Sequence, residues 1–471
     1  MTGITRVFAS IFLIFVFLPG RITAQENDPW LRAKQIIDSV GTIVFPEKNF
    51  NVIDFGAVSD GLTDNTKAFI RAIKKCSDNG GGTVIVPSGK YLTGPIHLAS
   101  YVNLHLQEGA EILFSKNPKD YYPLVHTSFE GTELMNYSPL IYVNNCKNVG
   151  ITGKGVLNGQ ADNTNWWPWC GKKEYGWKKG MPSQNDSLNR PALEKMAEDN
   201  IPVTDRKFGN QHFLRPTFIE PFGCSNVLIE GVKIINAPFW IIHPIKCTNV
   251  IVDGVNIESH GPNNDGCDPE YSKNVIIKNS TFNTGDDCIA IKSGRNADGR
   301  RVAIKSENIV VQKCKMIDGH GGVVIGSEIS AGVSNVFAED CIMSSPELDR
   351  AIRIKTNSKR GGIIENIYVR NIEVGIVKEA VLLATMFYDV YGNQTGKYLP
   401  VIRNIHLENI KVKDGGKYGV WAIGYKESPV KNITLKNVTI DKAGTEYSLE
   451  NVENIRFINT TINGKLIEYN Q

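Results

Sequence analysis

The sequence predicts an all-β fold: a right-handed parallel β-helix, a solenoid closed at its N-terminal end by a capping helix. Three observations carry this. First, an Asn followed by alternating apolar residues recurs at Asn148, Asn226, Asn249, Asn274, Asn308, Asn335, Asn366, Asn404, Asn432 and Asn454, and from Asn226 onward the spacing runs from 22 to 38 residues. Second, the runs after each Asn are short and rich in Val and Ile, which suits strands and leaves no room for a helix within each repeat. Third, Asp286-Asp-Cys-Ile-Ala-Ile-Lys-Ser, His320-Gly-Gly-Val-Val-Ile-Gly-Ser and Asp349-Arg-Ala-Ile-Arg-Ile-Lys-Thr align with one another. A coil that buries a face only against its neighbours forms a core of stacked side-chain ladders.

Taken in order, residues 1–24 read as a secretory signal peptide. Arg6 gives a positive start, Val7–Leu18 is largely apolar, and Ile22-Thr23-Ala24 is an acceptable cleavage region. The apolar run is too short for a stable membrane span, so a periplasmic or extracellular protein is expected. Residues 25–49 form an N-terminal segment packed on the main domain, with helical spacing over Asp28–Val40 (Trp30, Ala33, Ile36, Ile37, Val40). The main domain covers 50–471. Thr63–Cys76 reads as an amphipathic helix, with Phe69, Ile73 and Cys76 on one face, that covers the open end of the solenoid. Gly80–Gly82 lacks the Lys-Ser/Thr and following helix of a phosphate loop and is a turn. The Asn residues fit tight turns, where they tolerate left-handed backbone.

Residues 159–215 break the repeat with Trp166, Trp167, Trp169, Tyr175 and Trp177 among Lys172, Lys173, Lys178 and Lys179. They are either a wall that stacks sugar rings or an ordinary packed loop. A second insertion, 294–306, brings Arg295, Arg300 and Arg301 out beside an acidic cluster and is read as substrate-binding. From about 401 the coils continue without a chemical cluster.

A net charge of +3 gives no basic excess for nucleic acid, although a local basic face could attract an acidic substrate. There are nine Cys and no CxxC pair, so most are read as small buried hydrophobes in the ladders. No metal or cofactor is implied, and nothing specifies an oligomer.

Strand alternation places Ile289, Val323 and Ile352 on one inward ladder, Ile291, Ile325 and Ile354 on the next, and Ser293, Ser327 and Thr356 on a third. Lys292, Arg353 and Lys355 then face out. Asp265 and Asp286 lie 21 residues apart, about one coil, so Asp265, Asp286/Asp287, His320 and Arg353/Lys355 fall on consecutive coils of one outer sheet. In this alignment Asp268 is in phase with inward Ile289 and reads as structural. Neighbouring carboxyls that seat a water are what glycosidic hydrolysis needs, and like-charge repulsion should raise the acid among them.

These residues resemble the polygalacturonase family, glycoside hydrolase family 28, most closely its exo-acting members. The resemblance covers most of 51–470. It rests on Asn263-Asn264-Asp265, Asp286-Asp287, Gly319-His320-Gly321 and Arg353-Ile354-Lys355, in that order. The second Asn, where the family commonly has Thr, is one departure. The resemblance implies hydrolysis of α-1,4-galacturonosidic bonds in polygalacturonate with inversion. Asp286 is the implied general acid, Asp265 and Asp287 hold the attacking water, and His320 shares the proton network. Asn263, Arg353, Lys355 and Lys292 are read as substrate contacts, and Tyr388 (one residue from the alternative Phe387) as the family's Tyr. Inverting enzymes separate acid and base by about 6.5–9.5 Å, and adjacent coils about 4.8 Å apart reach the lower part of that range. The two insertions favour an exo mode. The alternatives are a rhamnogalacturonan or xylogalacturonan hydrolase, a calcium-dependent pectate lyase, or a non-catalytic carbohydrate-binding solenoid.

Overall fold

The computed structural model describes residues 3, 28–389 and 396–469. The signal-peptide reading therefore lies outside the described residues. Each coil begins at a repeat Asn. A first strand carries that Asn, as in Thr248–Asp253, Lys273–Lys278 and Ser306–Gln312, and pairs in parallel with its counterparts above and below. A second, shorter strand follows, as in Asn256–Ser259 and Thr281–Thr284, also paired in parallel. The third leg forms the sheet that matters for chemistry: β1 (Ile289–Ile291), β2 (Val323–Ile325), β3 (Arg350–Lys355), β4 (Ala380–Thr385), β5 (Tyr418–Ile423) and β6 (Thr445–Glu450). The chain is a parallel β-helix.

The Asn repeat is a physical ladder. Each of the ten repeat Asn residues has a left-handed backbone, with φ between 52° and 61°. Each side-chain amide from Asn226 to Asn454 donates to the carbonyl of the Asn one coil before, as Asn274 Nδ2 does to Asn249 Oδ1 at 3.1 Å. An amide both donates and accepts along the stack, which Asp cannot do when ionised. A second ladder, Asp340–Asn371–Asn409–Asn437–Asn459, lines another turn.

The inward ladders hold as read. Ile289, Val323 and Ile352 are register partners, as are Ile291, Ile325 and Ile354, and all are buried. Ser293, Ser327 and Thr356 follow them into the interior. All nine Cys are free and eight are buried.

Helix α1 (Pro29–Val40) is capped by Asp28, whose carboxylate accepts from Trp30 N. Its face of Ala33, Ile36 and Val40 covers outward apolar residues Val310, Phe337, Ile251 and Ile276 of the first-strand sheet. Helix α2 (Thr66–Asp78) buries Ala68, Phe69, Ala72, Ile73 and Cys76 over the first coil. It starts three residues later than the periodicity suggests, because Asp60–Asp64 pairs as a strand and the Asp60 carboxylate accepts from Leu62 N and Thr63 N. The 159–215 insertion holds α3 (Arg190–Glu198), and the 294–306 insertion holds α4 (Asn296–Val302). An antiparallel hairpin, Val125–Phe129 with Thr132–Asn136, was not legible in the repeat. No helix among the described residues is long and apolar enough to cross a membrane.

Candidate active site

The acids are set by turns at the start of the third leg. Asn264 is buried, and its Oδ1 accepts from Ser259 Oγ at 2.6 Å and Gly261 N at 2.9 Å, closing the turn that delivers Asp265. Cys267 pairs with Ile289, and Gly266 N donates to Asp287 O at 2.9 Å. Asp265 therefore stands opposite Asp287, one residue from the alignment with Asp286. Asp286 sits at the turn itself, beside His320 of the next coil. One oxygen from each of Asp265, Asp286 and Asp287 lies within 4.8 Å of the others. A water bonded to two such oxygens at about 2.8 Å, with a tetrahedral angle, spans about 4.6 Å, so the cluster has the size of a water seat.

Cations partition the three acids. Asp287 accepts from Arg353 Nη1 at 3.1 Å on one oxygen and from Lys355 Nζ at 2.6 Å on the other. Burial alone would raise its pKa, but Lys355 and Arg353 outweigh it and hold the group below the ordinary range. His320 Nδ1 lies 2.9 Å from Asp286 Oδ1. Burial acts on Asp286 too, yet the hydrogen bond and charge of His320, then Lys355 and Arg353, keep it ionised. The same contact raises the half-exposed His320 to about 9. Asp265 differs: burial, then Asp268 and Asp286, push it well above the carboxyl range. Its Oδ2 meets Lys292 at 3.3 Å, and its Oδ1 has no hydrogen-bond partner among the described residues. The expectation that repulsion raises Asp286 is thus corrected. The raised carboxyl is Asp265, because His320 neutralises Asp286.

The predicted binding residues divide. Arg353 and Lys355 reach the acids as read, with the Tyr388 ring 5.3 Å and 4.9 Å from their charges. Phe387 packs on Tyr425 instead. Lys292 faces out but is covered: its side chain is 3 % exposed, lodged among Asp265, Asp268 and Glu328 over the Trp240 ring. It braces Asp265 from beneath. Asn263 Oδ1 accepts from Arg215 Nη2 at 2.8 Å, while Arg215 Nη1 donates to Pro262 O at 2.6 Å. Arg295 pairs with Glu130, Glu194 and Glu328. Arg300 lies on Tyr398 and bonds Lys359 O, and Arg301 pairs with Asp298 and Glu133. The structure does not bring Arg300 or Arg301 to the carboxylates.

The structure places the aromatic residues of this insertion in packed contacts. Trp166 is buried and packs edge-on against Tyr121 and Trp169. Trp167 donates to Ala237 O at 2.9 Å and lies against Gly261, where a Cβ would fall 2.3 Å from its Nε1. Tyr175 packs edge-on against Trp167, and its phenol pKa is raised by burial, then Glu174 and Asp286.

Sequence reasoning missed Glu328, Glu130 and Arg215, whose partners come from distant segments. It also turned Asp268 inward. The Cys267–Ile289 register makes Cys267 the inward residue and points Asp268 to the Lys292 side.

Against known proteins, the profile described as "Glycosyl hydrolases family 28" matches residues 203–461, and one described as "Rhamnogalacturonase A/epimerase, pectate lyase-like" matches 49–106. The chain is similar to the crystal structure of a hyperthermoactive exopolygalacturonase from Thermotoga maritima. That chain is 46% identical with a TM-score of 0.88, over 93% of this chain and 97% of that one. It is 28% identical to an exo-poly-alpha-D-galacturonosidase of Dickeya chrysanthemi, over 78% of this chain and 62% of that protein. It is also 28% identical to a polygalacturonase of Ralstonia solanacearum, over 81% and 74%.

Proposed function

Because the chain belongs to glycosyl hydrolase family 28, we propose that it hydrolyses the α-1,4-galacturonosidic bonds of polygalacturonate from a chain end, with inversion at the anomeric carbon. One observation carries the chemistry: a hydrogen-bonded Asp286–His320 pair stands within 4.8 Å of a buried Asp265 with an unpartnered oxygen and an Asp287 held ionised. The pair holds one proton at neutral pH. It delivers that proton through Asp286 to the leaving oxygen as the glycosidic bond breaks. Water seated between Asp265 and Asp287 attacks the anomeric carbon and yields its proton to Asp265.

Arg353 and Lys355, with the Tyr388 ring beside them, suit a uronate: Arg offers a planar fork and Lys a point charge. The insertions beside the acids support the exo mode. From Asp265 the contacts run through Lys292 to Glu328, then Arg295, then Glu130 of the hairpin and Glu194 of α3. Residues of both insertions are thus tied by ion pairs to the acid cluster, which favours a site approached from a chain end. Residues 1–24 would direct export, and 50–471 would act as one catalytic domain.

Product analysis tests this reading. Polygalacturonate should release galacturonate or a single short product from the outset, and the product's anomeric proton signal should first appear in the inverted configuration. A spread of oligomers would refute the exo mode, and retained configuration would refute the displacement. Faster cleavage of rhamnogalacturonan would favour the reading that the match over 49–106 suggests.

A further inference from the structure

Asp268 has no part in the chemistry so far, yet it lies directly beneath it. The register that turns Cys267 inward points Asp268 toward the substrate side of the wall, where it is completely buried. Among the described residues, neither of its carboxyl oxygens has a hydrogen-bond donor. Its Oδ1 lies 3.5 Å from Lys292 Nζ, and that ammonium lies 3.3 Å from Asp265 Oδ2. Two buried carboxyls therefore meet on one cation. Two unshielded negative charges in so dry a place cost more than one ammonium returns, and a single proton between them removes the excess.

The surrounding charges do not relieve it. Asp286 and Asp287 add negative charge to Asp265. Glu328, on the loop after β2, draws on the same Lys292 and is itself balanced by Arg295 and Arg360. His243 stands one coil before Asp268, but its ring faces Glu270 at 2.9 Å and Glu220 at 3.7 Å. Burial also pushes Asp268 up to about 8, in the direction the geometry requires.

We propose that Asp268 is a positioning residue that shares one proton with Asp265 across Lys292, so that the water-holding carboxylate is tuned from beneath by a side chain that substrate never touches. The proposal rests on the hydrolase reading given above. The pair carries one charge and one proton: Asp265 must hold the charge when the attacking water gives up its proton, and Asp268 then holds the proton and donates it as a hydrogen bond. When Asp265 takes the proton of the attacking water, both carboxyls are briefly protonated. One proton then returns to solvent, and the pair titrates as a unit.

The test has one arm that needs no activity. In wild type at about pH 6, above the ordinary carboxyl range, infrared difference spectroscopy should show a protonated-carboxyl stretch that disappears on further titration. Asp268→Asn, which keeps a donor but cannot titrate, should lose that band. In the second arm, Asp268→Asn should keep the acid limb of kcat/KM on polygalacturonate at its wild-type pH. Asp268→Ala, with no donor, should move that limb to higher pH by about one unit, the equivalent of one tenfold hydrogen-bond effect. A merely structural Asp268 would lower stability with the limb unmoved. Absence of the band in wild type, its survival in Asp268→Asn, or coincident limbs in the Ala variant and wild type would overturn the proposal. If Asp268→Ala does not fold, the wild-type and Asn spectra still decide. A wild-type protein inactive on polygalacturonate would defeat the functional reading and leave the infrared result standing.

Discussion

Arg353→Ala tests whether the cations beside Asp287 serve recognition, ionisation or both. The guanidinium reaches Asp287 Oδ1 at 3.1 Å, while Lys355 remains on Oδ2 at 2.6 Å. Both partners are nearly buried, with 9 % and 1 % of their side chains exposed. Removing one member of an isolated buried pair costs about 3–5 kcal/mol. Here a second cation stays, so the loss of one charge-assisted hydrogen bond, about 1.5–3 kcal/mol, is the better measure. That corresponds to a fall of roughly ten- to a hundredfold in kcat/KM on polygalacturonate. The pH dependence has a definite sign. Asp287 is held below its ordinary value, so its stabilisation is present above the unfolded pKa of about 3.9 and is lost as pH falls through the folded value. Without Arg353 the folded value rises. The stability deficit should therefore be largest near neutral pH and shrink in acid, and the acid limb of activity should move to higher pH. Reducing-end release from polygalacturonate and from carboxyl-reduced substrate, with melting at neutral and acid pH, measures all three. A folded variant with an unmoved acid limb would refute the ionisation role, and equal losses on both substrates would refute the recognition role.

Asp286→Asn should keep the fold and lose about 10²–10⁴ in turnover, the usual worth of a positioned proton donor; near-wild-type rates in the folded variant would remove Asp286 from that role. His320, raised to about 9 by Asp286, should place the alkaline limb of kcat/KM near that pH. Its ion pair with Asp286 should add stability that is complete below about 6.5 and lost as pH rises through about 9. His320→Ala should abolish the limb, and an unchanged profile would contradict the shared proton. Activity should survive a chelator, because Lys292, Arg353, Lys355 and His320 already supply positive charge around the carboxylates; loss restored by calcium, with unsaturated products, would point to a lyase. Asn274→Ala removes one bond given and one received and leaves Ala at φ 56°. It should cost about 2–4 kcal/mol in denaturant unfolding, and a loss under 1 kcal/mol would show that the ladder is incidental.

The coil was legible because its cause is local. A left-handed turn needs Asn and a half-buried strand needs alternation, and both are written into every repeat from Asn226 to Asn454. The inward ladders followed because strand parity is rigid over the few residues from Ile289 to Ser293. Parity fails across a turn. The 259–265 turn, closed by Asn264, shifts the leading coil by one residue, which moved Asp265 opposite Asp287 and turned Asp268 from core to site. Equal spacing in sequence therefore did not mean equal register in space. Glu328, Glu130 and Arg215 carry no periodic signal. Their significance lies in partners from other segments, as with Arg295 and Glu130, 165 residues apart.

The same limit explains why charge reasoning misjudged Asp286. Three neighbouring aspartates suggest mutual repulsion, and the sequence names the acids together as a motif. The cations that decide their states arrive from other coils: His320 on Asp286, Arg353 and Lys355 on Asp287, and Lys292 shared between Asp265 and Asp268. Each carboxyl thus meets a different balance of burial and positive charge. Asp287 is ionised firmly, Asp286 is ionised with a proton one bond away on His320, and Asp265 is left with too little cation for its burial. An inverting hydrolase needs this asymmetry, because one face of the sugar must receive a proton while the other gives one up. The acids supply the sites, and the placement of cations along successive coils assigns the direction of proton flow between them.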